Sequence, residues 1–119
     1  MENFTFTPED NSFIIEADGK KLRVSYAEFC GNHEEAMKFC KENGGGDETV
    51  ENLRFIARYR DAINDELEKL GKDRIEGWYW SKEPSWRYND CSFVVKTDYG
   101  GVNDSYRNYY NLARAVSAL

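Results

Sequence analysis

Four carboxylates in the last third of the chain could carry out hydrolysis if the fold brought two of them together. They are Glu83, Asp90, Asp98 and Asp104. Two carboxylates across a cleft can act as acid and base, or as acid and nucleophile, on a glycosidic bond. The chain holds 22 Asp and Glu residues, however, so acidic loops are expected without any catalytic role. A carboxylate-based hydrolase is therefore our third hypothesis, behind two non-enzymatic ones.

Nucleophilic and metal-dependent chemistry has less support in the residues. His33 is the only histidine, and its position predicts a solvated side chain in the first turn of a helix. The three cysteines, Cys30, Cys40 and Cys91, include no Cys-x-x-Cys pair and do not form a zinc ligand set with His33. Their odd number predicts buried free thiols, with one Cys30–Cys40 or Cys40–Cys91 bridge as the alternative. We expect no catalytic residue, no metal and no cofactor.

The stretch from residue 77 to residue 119 has the composition of a recognition surface. It contains all three Trp and six of the eight Tyr, among many Asn, Asp, Ser and Arg residues. Tyr and Trp provide large contact areas with few rotatable bonds, which suits binding. Trp78 and Trp80 share one face of a predicted strand as core residues, with Tyr79 on the other face. The predicted ligand-binding residues lie instead in the loops: Trp86, Tyr88, Asn89, Tyr99, Asn103, Tyr106, Arg107 and Tyr109.

Charge and hydropathy restrict the partners. A formal net charge of −6 and a pI near 4.8 argue against nucleic acid and anionic membranes, both of which attract basic surfaces. No stretch approaches the ~20 apolar residues of a membrane span, and the N-terminus has no signal-peptide pattern. These features leave the compartment unknown, with the cytoplasm as the default. A length of 119 residues predicts a single domain, 1–119.

Local signals predict strands at both ends of the chain. Residues 4–7 alternate as a short strand, and Asp18-Gly19 joins the runs 12–16 and 21–26 into an N-terminal β-hairpin. Residues 78–81, 91–97 and 113–118 are predicted strands near the other end. Arg114 lies in the last of these, so we expect it to be at least partly buried and paired with a carboxylate, for which Glu83 is the candidate.

Helices are predicted between the two groups of strands. Asn32 and Glu35 form a capping-box pattern before a helix over residues 33–42. A second helical region runs over about residues 49–70, with a break near Arg60 and Gly71 at its C-terminal end. The predicted fold class is therefore α+β, with two helical regions packed on small antiparallel sheets and an N-terminal β-hairpin.

The segment Gly77-Trp78-Tyr79-Trp80-Ser81-x-Glu83, after a glycine-rich loop and a helix, resembles a group of bacterial C-type-lectin-like domains of unknown function. This group is often called the major paralogous domain. It is distantly similar to formylglycine-generating enzymes and to the variable proteins of diversity-generating retroelements. The resemblance covers residues 33–119, which makes the strands of residues 1–31 an addition. The chain departs from the family at residues 47–49, where Leu-Pro-Thr is usual, and at Lys82, where Ser or Thr is usual.

The resemblance implies a C-type-lectin-like fold whose N- and C-terminal strands pair, with residues 77–112 forming loops on one face. In the retroelement relatives that face is the binding surface. Calcium-dependent lectins carry Glu-Pro-Asn and Trp-Asn-Asp motifs, whereas this chain has Ser85 in place of the amide and Tyr88 in place of the Trp. We therefore expect no calcium. The cysteines likewise do not match those of formylglycine-generating enzymes.

Two non-enzymatic hypotheses follow. The first is a binding module that presents its aromatic and polar C-terminal loops to a protein or glycan ligand. The alternative is a structural or accessory assembly domain, of a phage or surface complex, in which the same face makes a homo-oligomer. Fold analogy alone does not decide between them.

Overall fold

Two β-sheets and three helices make up residues 3–119, the part of the chain that the computed structural model describes. The strands are β1 (Thr5–Pro8), β2 (Ser12–Ala17), β3 (Lys20–Ser25), β4 (Phe29–Gly31), β5 (Trp78–Pro84), β6 (Cys91–Lys96), β7 (Val102–Tyr106), β8 (Asn111–Ala113) and β9 (Val116–Ala118). The helices are α1 (His33–Glu42), α2 (Val50–Arg58) and α3 (Arg60–Lys69). The predicted α+β class is confirmed.

The first sheet has the order β1-β2-β3-β9, and its neighbouring strands are all antiparallel. Asp18 and Gly19 both adopt positive φ, at 52° and 74°, so the predicted hairpin turn between β2 and β3 is confirmed. The C-terminal strand β9 pairs with β3, as in the Val24↔Val116 register. Phe13 and Leu22 of this sheet lie in the main hydrophobic cluster. The assignment of residues 1–31 as an addition stays a prediction.

The second sheet has the order β4-β8-β5-β6-β7, in which only the β5–β8 pair is parallel. The predicted single strand over residues 113–118 is wrong, because it divides into β8 and β9 in different sheets. Arg114 and Ala115 carry the chain from one sheet to the other. The strands β4 and β7 were not predicted from the sequence.

The helices begin where the sequence signals place them. Asn32 caps α1 and Glu35 completes the capping box, so both predictions are confirmed. Thr49 caps α2, and the predicted break near Arg60 occurs at Tyr59, between α2 and α3. Each cap satisfies a backbone N–H that a helix leaves without an intrahelical partner.

The hydrophobic core has two parts on opposite faces of the second sheet. The larger part joins Tyr79 and Val95 to α2, α3 and the first sheet. The smaller part packs Trp80 and Val94 against α1. Trp78 is half-buried against the same smaller cluster, so the predicted faces of the Trp-Tyr-Trp strand are confirmed. Strands β5 and β6 are therefore covered on both faces, which leaves sheet ends and edges for contact with a ligand.

The glycine-rich loop between α1 and α2 is held by a buried carboxylate. Glu48, only 2% exposed, accepts backbone N–H groups from Val116 at 2.7 Å and Gly46 at 2.9 Å. A Cβ on Gly45 would lie 2.2 Å from Glu48 Oε2 and 2.9 Å from the Cys40 carbonyl oxygen. Glycine at position 45 thus lets the loop pack closely on β9.

Arg114 is buried and paired, but the predicted partner is wrong. Its Nε contacts Glu28 Oε1 at 3.1 Å, while its Nη groups donate to the backbone carbonyls of Ser25, Asp73 and Arg74. Glu83 instead accepts the Val50 N–H at 2.6 Å, at the start of α2. A carboxylate at this position favours the helix N-terminus, which carries unpaired N–H groups.

Candidate binding surface

Exposed aromatic rings gather where β6 begins and β7 ends. We define the aromatic face as Trp86, Tyr88, Tyr106 and Tyr109, whose exposed fractions are 80%, 58%, 47% and 58%. By contrast, Trp80 on β5 is 1% exposed. Large rings this exposed are unusual on a surface that meets only water, so they mark this end of the sheet as the candidate site.

Three of these rings line one open depression of about 400 Å³. Its lining residues are Arg87, Tyr88, Cys91, Asn103, Asp104, Ser105, Tyr106 and Tyr109. Tyr106 and Tyr109 meet edge to face, with ring centroids 5.2 Å apart. Trp86 stands beside the depression, with the Arg87 guanidinium 5.2 Å above its ring and Phe93 at its edge. The rings and the polar floor together form a mixed surface of the kind used in recognition.

Asp104 and Ser85 hold the loop that carries Trp86 and Tyr88. Asp104 accepts a 2.5 Å hydrogen bond from Ser85 Oγ and pairs with Arg87 at 2.7 Å. Ser85 Oγ in turn accepts the backbone N–H groups of Arg87 and Tyr88, at 3.0 and 3.2 Å. These contacts order the loop before any ligand arrives, which reduces the entropic cost of binding.

Arg107 supports the same loop from the other side. Its guanidinium donates to Ser92 Oγ and to the carbonyls of Asn89 and Cys91, at 2.8–3.0 Å. Its backbone N–H also donates to the Asp90 carbonyl. Arg107 and Asn89 were predicted to contact ligand. The structure places both at the border of the aromatic face, where Arg107 already has three internal acceptors.

Asn103 lies on β7, whereas Tyr99 lies outside this strand. Asn103 lines the depression, and its Oδ1 accepts the Asp104 N–H at 2.8 Å. Tyr99 lies in the turn before β7, at the opposite end of the strand from Tyr106, beside α2. The predicted site therefore separates into the aromatic face with its supporting residues and a distinct region around Tyr99. The sequence reasoning missed Arg87, whose stacking on Trp86 only the fold reveals.

The four carboxylates considered for hydrolysis are spread over the surface. Asp104 lines the depression, Asp90 lines a neighbouring recess beside Arg107, and Asp98 lines the region around Tyr99. Glu83 is engaged at the start of α2. Asp104 already carries the Ser85 and Arg87 contacts. None of these arrangements places two of the carboxylates across one of these clefts, as acid–base hydrolysis requires.

His33 is half-buried, so the predicted solvated side chain is wrong. Its Nε2 donates to the Ser81 carbonyl at 2.9 Å, and its ring meets Trp80 at 5.0 Å. The packing of α1 on β5 causes this burial. Burial lowers the pKa of His33, with the charge of Arg107 adding to the effect, although the Ser81 hydrogen bond opposes it.

The cysteines are free, as predicted, but Cys30 is exposed rather than buried. Burial raises the pKa of Cys40 to about 12, and the nearby Glu48 contributes. Within residues 3–119, no group of three or more His, Cys, Asp or Glu residues is placed to hold a metal ion. None of the helices in this same range is long and apolar enough to cross a membrane.

Comparison with known proteins gives no relative: no family model matches the chain, and neither a curated protein nor a solved structure shows a significant match to it.

Proposed function

We propose that the chain is a non-enzymatic binding module of C-type-lectin-like fold that presents the aromatic face to a protein or glycan. Support for the fold comes from the pairing of β9 with β3, which joins the N-terminal strands to the C-terminal one, and from the two helical regions packed on small sheets. Support for the function comes from one observation above all. Three of the four exposed rings lie on loops whose backbone is held by internal hydrogen bonds, and the fourth, Tyr106, ends β7.

The polar contacts beneath the rings favour binding over catalysis. Asp104 is only 10% exposed in its side chain and is occupied by Ser85 and Arg87. The depression is open to solvent and is lined by Tyr rings that can stack on a sugar or pack on a peptide side chain. Rigid aromatic anchors are the groups that contribute most binding free energy at such surfaces.

A glycan array and a peptide array probed with the purified chain would identify a ligand. With that ligand, we expect the double variant Tyr106→Ala/Tyr109→Ala to bind at least about tenfold more weakly, since each anchoring ring contributes about 1–2 kcal/mol. Leu70→Ala is the control, because Leu70 is an exposed apolar residue (43%) at the C-terminal end of α3, outside the aromatic face. Unchanged affinity in a folded double variant would overturn the proposal.

The alternative of an assembly domain is favoured by the open edge of β7. The hydrogen bonds from Lys96 N–H to Gly101 O and from Arg107 N–H to Asp90 O show which positions pair with β6. The backbone groups of Val102, Asp104 and Tyr106 therefore point away from β6, toward the open side of the sheet. Val102 is 39% exposed at this edge. Such an edge can pair with a second strand.

Oligomeric state separates the two functions. If β7 pairs between copies, light scattering should show a dimer at micromolar concentration, and Val102→Lys should return it to a monomer. The Asn103 side chain already occupies the outward Asp104 N–H, which reduces the donors that a second strand could use. A strict monomer at all concentrations would exclude the assembly function and leave the binding module.

A further inference from the structure

A second concave surface lies at the opposite end of β7 from the aromatic face. It is a cleft of about 710 Å³ between α2 and the turn that joins β6 to β7. This volume falls within the range of small-ligand sites. Phe55 and Ala57 of α2 form one wall, while Tyr99 and Gly100 of the turn form the other. Tyr99 therefore belongs to a separate site.

The cleft gathers positive charge in a chain whose formal net charge is −6. Three cations line it, Lys20, Arg54 and Arg58, against two carboxylates, Glu51 and Asp98. The Glu51 carboxylate is paired with Lys20 at 2.9 Å, and is 86% exposed. Neither arginine is paired with a carboxylate of the cleft, although Arg58 Nη1 lies 3.5 Å from Asp18 Oδ2 outside it.

Arg54 is positioned by the turn that forms the other wall. Its Nε donates to the Gly100 carbonyl at 3.1 Å, which ties α2 to the β6–β7 turn and sets the plane of the guanidinium. Among residues 3–119, no hydrogen bond or ion pair engages its two Nη groups. A guanidinium held in this way can offer paired donors to a carboxylate or phosphate.

The ring of Tyr99 is held at the mouth of the cleft. A Cβ on Gly101 would lie 2.1 Å from Tyr99 Cε2, so the ring rests over the backbone at a position where only glycine leaves room. Gly100 has a φ of +74° and donates its N–H to the Lys96 carbonyl at 2.7 Å, which closes the turn. The ring is 69% exposed, so a flat group can stack on it.

From this juxtaposition of an oriented guanidinium and a held ring, we propose that the cleft binds a small ligand with one acid group on a flat ring. The acid group, a carboxylate or a phosphate, lies on Arg54, with Arg58 as a second cation. The flat ring stacks on Tyr99. Asp98 at the margin repels a second acid group, so the cleft favours ligands with a single one.

Titration calorimetry with four probes tests this site: phenyl phosphate, benzoate, inorganic phosphate and benzyl alcohol. We expect phenyl phosphate or benzoate to bind, and the stronger of the two identifies the acid group. Arg54→Gln should weaken that probe at least about tenfold, because a charge-assisted hydrogen bond is lost. Tyr99→Ala should weaken it about threefold to fivefold but leave inorganic phosphate unchanged, because only the ring loses its stacking partner.

Arg74→Gln is the matched control, since Arg74 is an exposed arginine outside this cleft with its own carboxylate partners. It should leave every affinity unchanged. Three results would overturn the proposal: no binding of either acidic ring compound up to about 10 mM, equal binding of benzyl alcohol, or unchanged affinity in a folded Arg54→Gln variant. Because the aromatic face lies at the other end of β7, none of these results bears on its function.

Discussion

Removing one member of the buried Arg114–Glu28 pair should cost far more stability than removing one member of an exposed pair. The Arg114 side chain is 2% exposed, and Glu28 is 22% exposed. The Tyr79 hydroxyl also donates to Glu28, and burial raises the pKa of Tyr79, so this group stays protonated. Replacing Glu28 by Gln keeps the shape and an acceptor oxygen but leaves the Arg114 charge without its counter-ion.

The expected loss follows from that uncompensated charge. Removing one member of a buried pair costs about 3–5 kcal/mol, and the partial exposure of Glu28 reduces this to about 2–4 kcal/mol. Arg114→Met should cost about 3–5 kcal/mol, because the carbonyls of Ser25, Asp73 and Arg74 lose their donor as well. With a urea slope of about 1–3 kcal/mol/M, the midpoint of unfolding should fall by about 1 M or more.

Glu51→Gln is the matched control for the urea experiment. The Lys20–Glu51 contact is shorter, at 2.9 Å, but Glu51 is 86% exposed. Exposed pairs contribute about 0–1 kcal/mol, so the control should move the midpoint very little. If Glu28→Gln shifts it no more than Glu51→Gln does, then the burial of the pair is not what stabilises the junction between the sheets, and the reasoning fails.

Three further predictions concern the loop, the histidine and the thiols. Gly45→Ala should lower the free energy of unfolding by about 1–3 kcal/mol, because its Cβ would overlap Glu48; an unchanged melting temperature would contradict this. His33 has a lowered pKa in the folded state, so the unfolded chain takes up this proton at a higher pH than the folded chain does. The stability should therefore decrease as the pH falls below about 6.5, and His33 should not affect it above pH 7. His33→Gln should remove this part of the pH dependence, measured by urea unfolding at pH 5–8. Cys30 should react with Ellman's reagent in the native protein, while Cys40 should react only on unfolding; equal rates would show that α1 opens readily.

The elements that the sequence predicted correctly depend on neighbouring residues. The turn at Asp18-Gly19 needs only positive φ at two adjacent positions, and the capping box needs only Asn32 and Glu35. Both are complete within four residues, so local chemistry decides them. This is why the bounds of α1 could be predicted to the residue.

The elements that the sequence did not predict depend on distant partners. The separation of β8 from β9 follows from Arg114, whose acceptors come from Glu28 and from carbonyls near residues 25 and 73. Strand β7 has the sequence Val-Asn-Asp-Ser-Tyr, which lacks the apolar alternation of a strand and is ordered by its pairing with β6. Pairing across a sheet is tertiary information that overrides local propensity.

The candidate site shows the same division between local and distant information. Composition alone predicted exposed rings among residues 86–109, because the Tyr and Trp residues there have mostly polar neighbours and form no apolar pattern of a buried element. Composition could not separate Tyr99 from Tyr106, since that depends on β7 being an extended strand between them. The five residues of β7 make four steps of about 3.4 Å, which keeps the ends of the strand about 14 Å apart, too far for one small ligand to contact both rings.

Burial on both faces explains why the two proposed binding surfaces lie at the two ends of the β6–β7 hairpin. Val94 and Val95 point to opposite clusters, so a ligand cannot reach the middle of β6 from either face. Side chains become accessible only where the strands end, and each end has a different supporting element. At one end Arg107 holds the loop that carries the aromatic face, whereas at the other Arg54 of α2 holds the turn that carries Tyr99. Arg107 donates its guanidinium N–H groups to the protein itself, whereas the two Nη groups of Arg54 remain available to a ligand. The two ends should therefore recognise different chemistry, the first through ring stacking and the second through an acid group.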